Sequence, residues 1–140
     1  MAAMTKIDSF ITELLAGAHV AAVNGADTDV LRLALSNSTP VSTWDVLTDI
    51  TPIAYTNISE AWPIDATNTA VDTSGTVTVS GVDVTATATG VVPTFRYVWL
   101  YNDTQGDRLI GYWDNLSAVD LTTGQVFTVN FDTDTLFTVE

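Results

Sequence analysis

Residues 95–102 read Phe95-Arg96-Tyr97-Val98-Trp99-Leu100-Tyr101-Asn102. Alternate positions place Phe95, Tyr97, Trp99 and Tyr101 on one side of an extended chain and Arg96, Val98 and Leu100 on the other, the period of two that belongs to a β-strand. Both sides carry large groups, so both faces are expected to be covered, by the chain itself or by a second subunit. Asn102-Asp103-Thr104-Gln105-Gly106-Asp107 follows as turn material and leads into a second extended stretch, Arg108 to Asp114.

The same alternation recurs on either side. Val77 and Val79 alternate with Thr76, Thr78 and Ser80; Gly81 then shifts the phase, and Val82, Val84, Ala86 and Ala88 alternate with Asp83, Thr85, Thr87 and Thr89. The shift predicts a bulge or tight turn at Ser80-Gly81. Thr122-Thr123-Gly124-Gln125 reads as a turn between Val119–Leu121 and Val126–Phe131, Leu136–Val139 as the last strand, and Val30–Ser36 as the first. Between Trp44 and Ala66 lies an irregular segment with Pro52, Pro63, Tyr55 and Trp62, of the kind that folds over a sheet edge or reaches a neighbour. Seven or more short strands with turns every eight to twelve residues predict a mainly β domain, an antiparallel β-sandwich or barrel-like fold.

One segment has a different period. Ile7, Phe10, Ile11, Leu14, Leu15 and Ala18 mark one face of an N-terminal α-helix, expected over about residues 5–23, with Thr5 and Asp8 as a capping box and Gly17 or Gly25 as a stop. The whole chain, 1–140, reads as a single domain, with the β part over about 28–140.

Seventeen acidic residues face four basic ones, Lys6, Arg32, Arg96 and Arg108, for a net charge of -13. That balance repels phosphate backbones and anionic lipid, so neither nucleic acid nor membrane is an expected partner. The apolar stretches fall short of the ~20 residues a membrane span needs, and the start shows no pattern for general secretion. With no cysteine, thiolate metal sites, disulfides and cysteine nucleophiles are excluded.

Groups able to do chemistry are scarce. His19 is the only histidine and reads as a helix-end or interface residue. No Gly-x-Ser-x-Gly elbow, phosphate-binding loop or dinucleotide fingerprint occurs. Asp27-Thr28-Asp29 and Asp132-Thr133-Asp134 could offer carboxylates to calcium but continue as no calcium-binding loop, and read as turn residues. Trp99 and Trp113 read as core filling, Trp44 and Trp62 as interface anchors. The expectation is a protein that is not an enzyme, with no catalytic residue, cofactor or metal.

Three stretches carry a family resemblance: Val30-Leu31-Arg32-Leu33-Ala34-Leu35-Ser36-Asn37-Ser38-Thr39-Pro40 with Val46-Leu47-Thr48-Asp49-Ile50-Thr51-Pro52-Ile53; Phe95 to Asp103 with Leu109-Ile110-Gly111-Tyr112-Trp113-Asp114; and Gly124-Gln125-Val126-Phe127-Thr128-Val129-Asn130-Phe131-Asp132. In this wording of strands and turns the chain resembles small structural proteins of tailed bacteriophages. It departs from that pattern at Tyr55 to Pro63, where a Gly-rich stretch is common. The resemblance implies a virion protein made in the bacterial host cytoplasm and carried on the capsid surface: a decoration or cement protein bound in many copies to the major capsid protein of the same virus, and to itself as a homo-oligomer, a trimer by analogy. A tail or fibre component, or a small carbohydrate-binding domain, are the alternatives. The first helix and the Trp44–Trp62 segment are the expected contact regions, with Phe10, Leu14, Trp44, Tyr55 and Trp62 as candidate protein-interface residues.

Overall fold

A computed structural model of the chain describes residues 3–19, 29–131 and 134–140. In chain order the strands are β1 (Thr5–Lys6), β2 (Leu31–Ser36), β3 (Ile64–Asp65), β4 (Thr69–Thr73), β5 (Thr76–Ser80), β6 (Val84–Thr87), β7 (Val92–Asn102), β8 (Arg108–Leu121), β9 (Val126–Val129) and β10 (Thr135–Val139). One helix, α1 (Ser9–Leu15), and a 3-10 turn at Leu47–Ile50 complete the described elements. Among the described residues all strand pairs are antiparallel, and the architecture is sandwich-like, with no closed barrel.

The first layer is a five-stranded sheet in the order β1-β8-β7-β2-β3. Its register sets Ala34, Trp99 and Tyr112 in one row across the sheet and Leu35, Val98 and Trp113 in the next, so the two rows face opposite ways. Both faces of β7 are covered by the chain itself. On the Trp113 side, the indole packs against Phe131 at 5.4 Å between ring centroids, facing the second layer. On the Trp99 side lies the irregular segment 44–55. It bridges β8 at Val46–Arg108, sets Trp44 5.9 Å from Trp99, and reaches β2, where Ile53 N–H donates to the Leu35 carbonyl and Leu35 N–H donates to Tyr55 Oη. The segment thus stands in for strand pairing along β2 beyond the two residues of β3.

The second layer is built on a bent ribbon. β5 pairs with β10 and β6 with β9, so the chain running from β5 into β6 lies antiparallel to the chain running from β9 into β10. At the bend, Gly81 N–H donates to the Asp134 carbonyl and Asp83 lies beside Asn130 and Phe131. Asp83 spans it, accepting from Phe131 N–H at 2.7 Å and Asn130 Nδ2 at 2.8 Å. Gly81 is required there, because a Cβ would stand 2.9 Å from Leu136 Cδ2 and 3.0 Å from the Ala66 carbonyl oxygen. The phase shift at Ser80-Gly81 is therefore a strand bend. β4 flanks β5, and residues 57–60 flank β6 through an Ile58–Ala88 bridge and a Ser59 N–H to Thr87 O bond.

Several expectations need correction. α1 ends well before residue 23 because Gly17, at φ 76°, closes it: Gly17 N–H donates to Leu14 O and Ala18 N–H to Glu13 O, the paired bonds of a Schellman motif. Residues 20–28, which include the expected helix tail, its alternative stop at Gly25 and part of the first Asp-Thr-Asp stretch, lie outside the described residues, as do 132 and 133. Thr5 does not cap the helix. It pairs with Tyr112 in β1, and Asp8 makes no side-chain cap bond. β1 approaches β8 closely because Gly111 has no side chain; a Cβ there would be 2.5 Å from the Thr5 carbonyl oxygen. The Thr122–Gln125 turn joins β8 to β9 across layers and forms no hairpin, since β9 pairs with β6.

Candidate interaction face

One polar cluster is buried. Glu13 and His19 from α1 and its C-terminal turn meet Asp29, Asn102, Gln105 and Arg108 from the sheet side. Asn102 Nδ2 lies 2.7 Å from Asp29 Oδ2 and 3.1 Å from His19 Nδ1, while Asn102 Oδ1 accepts from Gln105 N–H. An amide nitrogen only donates, so His19 Nδ1 accepts and Nε2–H donates to Glu13 Oε2 at 3.2 Å. The imidazole is thus neutral. Burial pushes it below its ordinary pKa, outweighing the opposing pull of Glu13 and Asp29. Arg108 donates to the other Glu13 oxygen. These bonds tie α1 to the β7–β8 hairpin.

The cations are all engaged: Arg32 with Asp103, Arg96 with Asp114 through two bonds of 2.7 and 2.8 Å, Arg108 with Glu13, and Lys6 Nζ with the Thr138 carbonyl. A hollow of about 400 Å3 opens beside β1 and β10, walled by Met4, Lys6, Trp113, Phe131 and Phe137.

The outer face of the second layer has a different character. Register places Thr69, Ser80 and Thr135 in one row, Val71, Thr78 and Thr138 in the next, and Thr73 beside Thr76. All are exposed or half-exposed, whereas the alternate residues Ala70, Val79 and Phe137 are buried against the core. None of the eight outward positions carries charge, in a chain of net charge -13. At about 3.3 Å per residue and 4.8 Å per strand, the face measures roughly 17 by 14 Å. It extends over the bend to the Thr85–Thr128 and Thr87–Val126 pairs. There Glu60 marks its edge, accepting from Thr87 N–H, Thr87 Oγ1 and Thr85 Oγ1. Partial desolvation raises the Glu60 carboxyl, but the Thr87 N–H and hydroxyl, helped by the N–H of Glu60 itself and the Ser59 hydroxyl, prevail and hold it at about 2.

β4 bounds this face. Its turn into β5, Thr73-Ser74-Gly75-Thr76, has both central residues at positive φ, 57° and 90°, as a type I′ turn requires, and Gly75 N–H donates to Asp72 Oδ1. A two-residue turn makes Thr73 and Thr76 exchange both backbone bonds, and the alternation repeats at Val71–Thr78 and Thr69–Ser80. Ala70 and Asp72 therefore point their N–H and C=O groups away from β5, and no described strand pairs with them.

The five residues expected at an interface sit mostly within the fold. Phe10 is fully buried, 5.2 Å from Phe137 and 5.3 Å from His19 between ring centroids. Trp62 is buried, donates from Nε1 to Thr85 O at 2.9 Å and stacks on Tyr55. Leu14, Trp44 and Tyr55 are half-buried against the same core. Burial pushes the Tyr55 hydroxyl up to about 12. On α1 the exposed apolar side chains are Ile11 and Leu15, four residues apart. Sequence reasoning did not identify the threonine face, because β4 was not read as a strand. The available signal was Ser74-Gly75 set between alternating Thr and Val. Comparison of the chain with family models, curated proteins and solved structures finds no match.

Proposed function

We propose that the chain is a non-catalytic virion structural protein that decorates the outer surface of a phage head in many copies, through contact with the major capsid protein. The uncharged outer face of β4, β5 and β10 carries this reading. An acidic protein packed at high density repels its neighbours, and a flat face of hydroxyls and one valine is where a partner approaches without that penalty. Its roughly 17 by 14 Å extent is small beside the ~800 Å2 per partner of a standard stable interface. Such a contact is weak alone and becomes firm by repetition on a lattice. The resemblance in strand-and-turn wording supports the same assignment, and the sole imidazole is spent on holding α1 in place.

The test is sedimentation of labelled protein with heads and with tails of the virus that encodes it. Hundreds of copies per head are expected. A Thr78→Glu variant, which puts a carboxylate at the centre of the face, should keep its circular dichroism spectrum and lose head binding at least tenfold. Binding to tails alone, or unchanged head binding by the variant, overturns the assignment or the face respectively.

A further inference from the structure

We infer that β4 is a self-association edge, at which two copies of the chain join antiparallel along Thr69–Thr73 with Val71 on the two-fold axis. This stands on the strand edge and does not depend on the virion assignment.

Edge strands expose unpaired backbone groups, and proteins guard them with lysine, proline, bulges or covering segments. Several other edges of the described fold are guarded or short. β6 is flanked by residues 57–60, β10 has Lys6 on the Thr138 carbonyl, and β1 and β3 hold two residues each. β4 has five residues in regular register with β5, without lysine, proline or bulge, and Val71 is half exposed.

Centring the two-fold axis on Val71 matches these orphan groups. Ala70 and Asp72 are the residues whose N–H and C=O point outward, and this register sets Ala70 of one copy opposite Asp72 of the other. Each such pair exchanges two backbone bonds, so the seam closes four. Val71 meets Val71 as a non-hydrogen-bonded pair, with Cα atoms about 4.5 Å apart. Thr69 lies opposite Thr73, and no carboxylate stands directly opposite another. The axis is perpendicular to the sheet, so the two threonine faces join on one side as a six-stranded surface about 28 Å wide. This symmetry is two-fold, in place of the trimer expected by analogy. Net charge opposes the encounter, so association strengthens with salt.

The chain has no cysteine, so each of two variants carries a single thiol. In V71C the two sulfurs meet on the axis, within the Cα range of about 4.4–6.8 Å that a disulfide needs. In T73C the two residues are four positions apart along the seam, about 13 Å. Under mild oxidation in 0.5 M salt, V71C should form covalent dimer at least tenfold faster than T73C. Wild-type protein should sediment toward twice the monomer mass as concentration rises, and V71K, which sets two ammonium groups on the axis, should remain monomeric. Equal cross-linking of V71C and T73C, or a wild-type chain still monomeric at several hundred micromolar in high salt, overturns the inference.

Discussion

Lowering pH from 7.5 to 5.5 should destabilise this protein through one side chain. His19 is 7% exposed and neutral, with Nδ1 accepting from Asn102 and Nε2–H donating to Glu13. Protonation would set an N–H against the Asn102 amide N–H, and turning that amide would break its 2.7 Å bond to Asp29. Burial holds the folded pKa below the ordinary value, so the unfolded chain takes up a proton first, near pH 6.5. The contribution is complete above the unfolded pKa and is lost as pH falls below it toward the folded one. One proton allows at most ~1.4 kcal/mol per pH unit, which places the ceiling for this window at about 1.4 kcal/mol. With a urea m-value of about 2 kcal/mol/M, the midpoint falls by up to ~0.7 M. The assay is urea unfolding of wild type and H19Q at both pH values. H19Q should be less stable throughout but should lack this dependence, and because the chain has no other histidine and no cysteine, the difference between the two slopes isolates the imidazole. Equal slopes, or a wild type that gains stability at pH 5.5, would refute the neutral assignment; the latter would mean that Glu13 and Asp29 hold an imidazolium.

Other outcomes follow from the same contacts. Trp62→Phe should cost more than Trp99→Phe although Trp99 is the more buried, because the first leaves the Thr85 carbonyl unpaired, at about 1–3 kcal/mol, whereas Trp99 Nε1 has no partner to lose among the described residues; thermal unfolding ranks them. Glu60→Gln should destabilise by about 1–3 kcal/mol at pH 7. It should also flatten the acid limb, since a carboxyl held at about 2 gives stability that is present above its ordinary pKa and lost as pH falls toward 2. Gly81→Ala should cost about 1–3 kcal/mol by forcing Leu136 and the Ala66 backbone apart, read from the midpoint of chemical unfolding.

How much of this was legible in the sequence varies by element. Alternation located β7 because aromatic residues recur at every second position, and it located β2 and β10 within one residue, but not the two-residue β1, which falls inside the stretch read as helix. It divided β8 into Arg108–Asp114 and Val119–Leu121; the strand runs through by shifting register against β7 and placing Leu116 at φ 66°. Helical period placed Ile7, Phe10 and Leu14 inward correctly but also Ile11 and Leu15, which are exposed while Glu13 is buried; a periodic face is indifferent to where it docks, and this one docks on its own sheet. The same applies to Trp62, whose indole N–H is claimed by Thr85. That β6 pairs with β9 depends on how the layers stack, and so does the assembly of three separate threonine-bearing stretches into one face.

The clasp between the first and last strands bears on how the chain acquires its shape. Lys6 reaches the Thr138 carbonyl, β1 is held by β8, and β2 by β7, partners separated by roughly half the chain or more. This gives the fold a high contact order: large loops must close before the central sheet gains its bonds, and folding should occur on the millisecond-to-second scale instead of microseconds. A ribosome-bound chain lacking β7 and β8 would leave Leu33, Leu35 and Phe10 without their cover, which makes the half-made protein the state most exposed to aggregation.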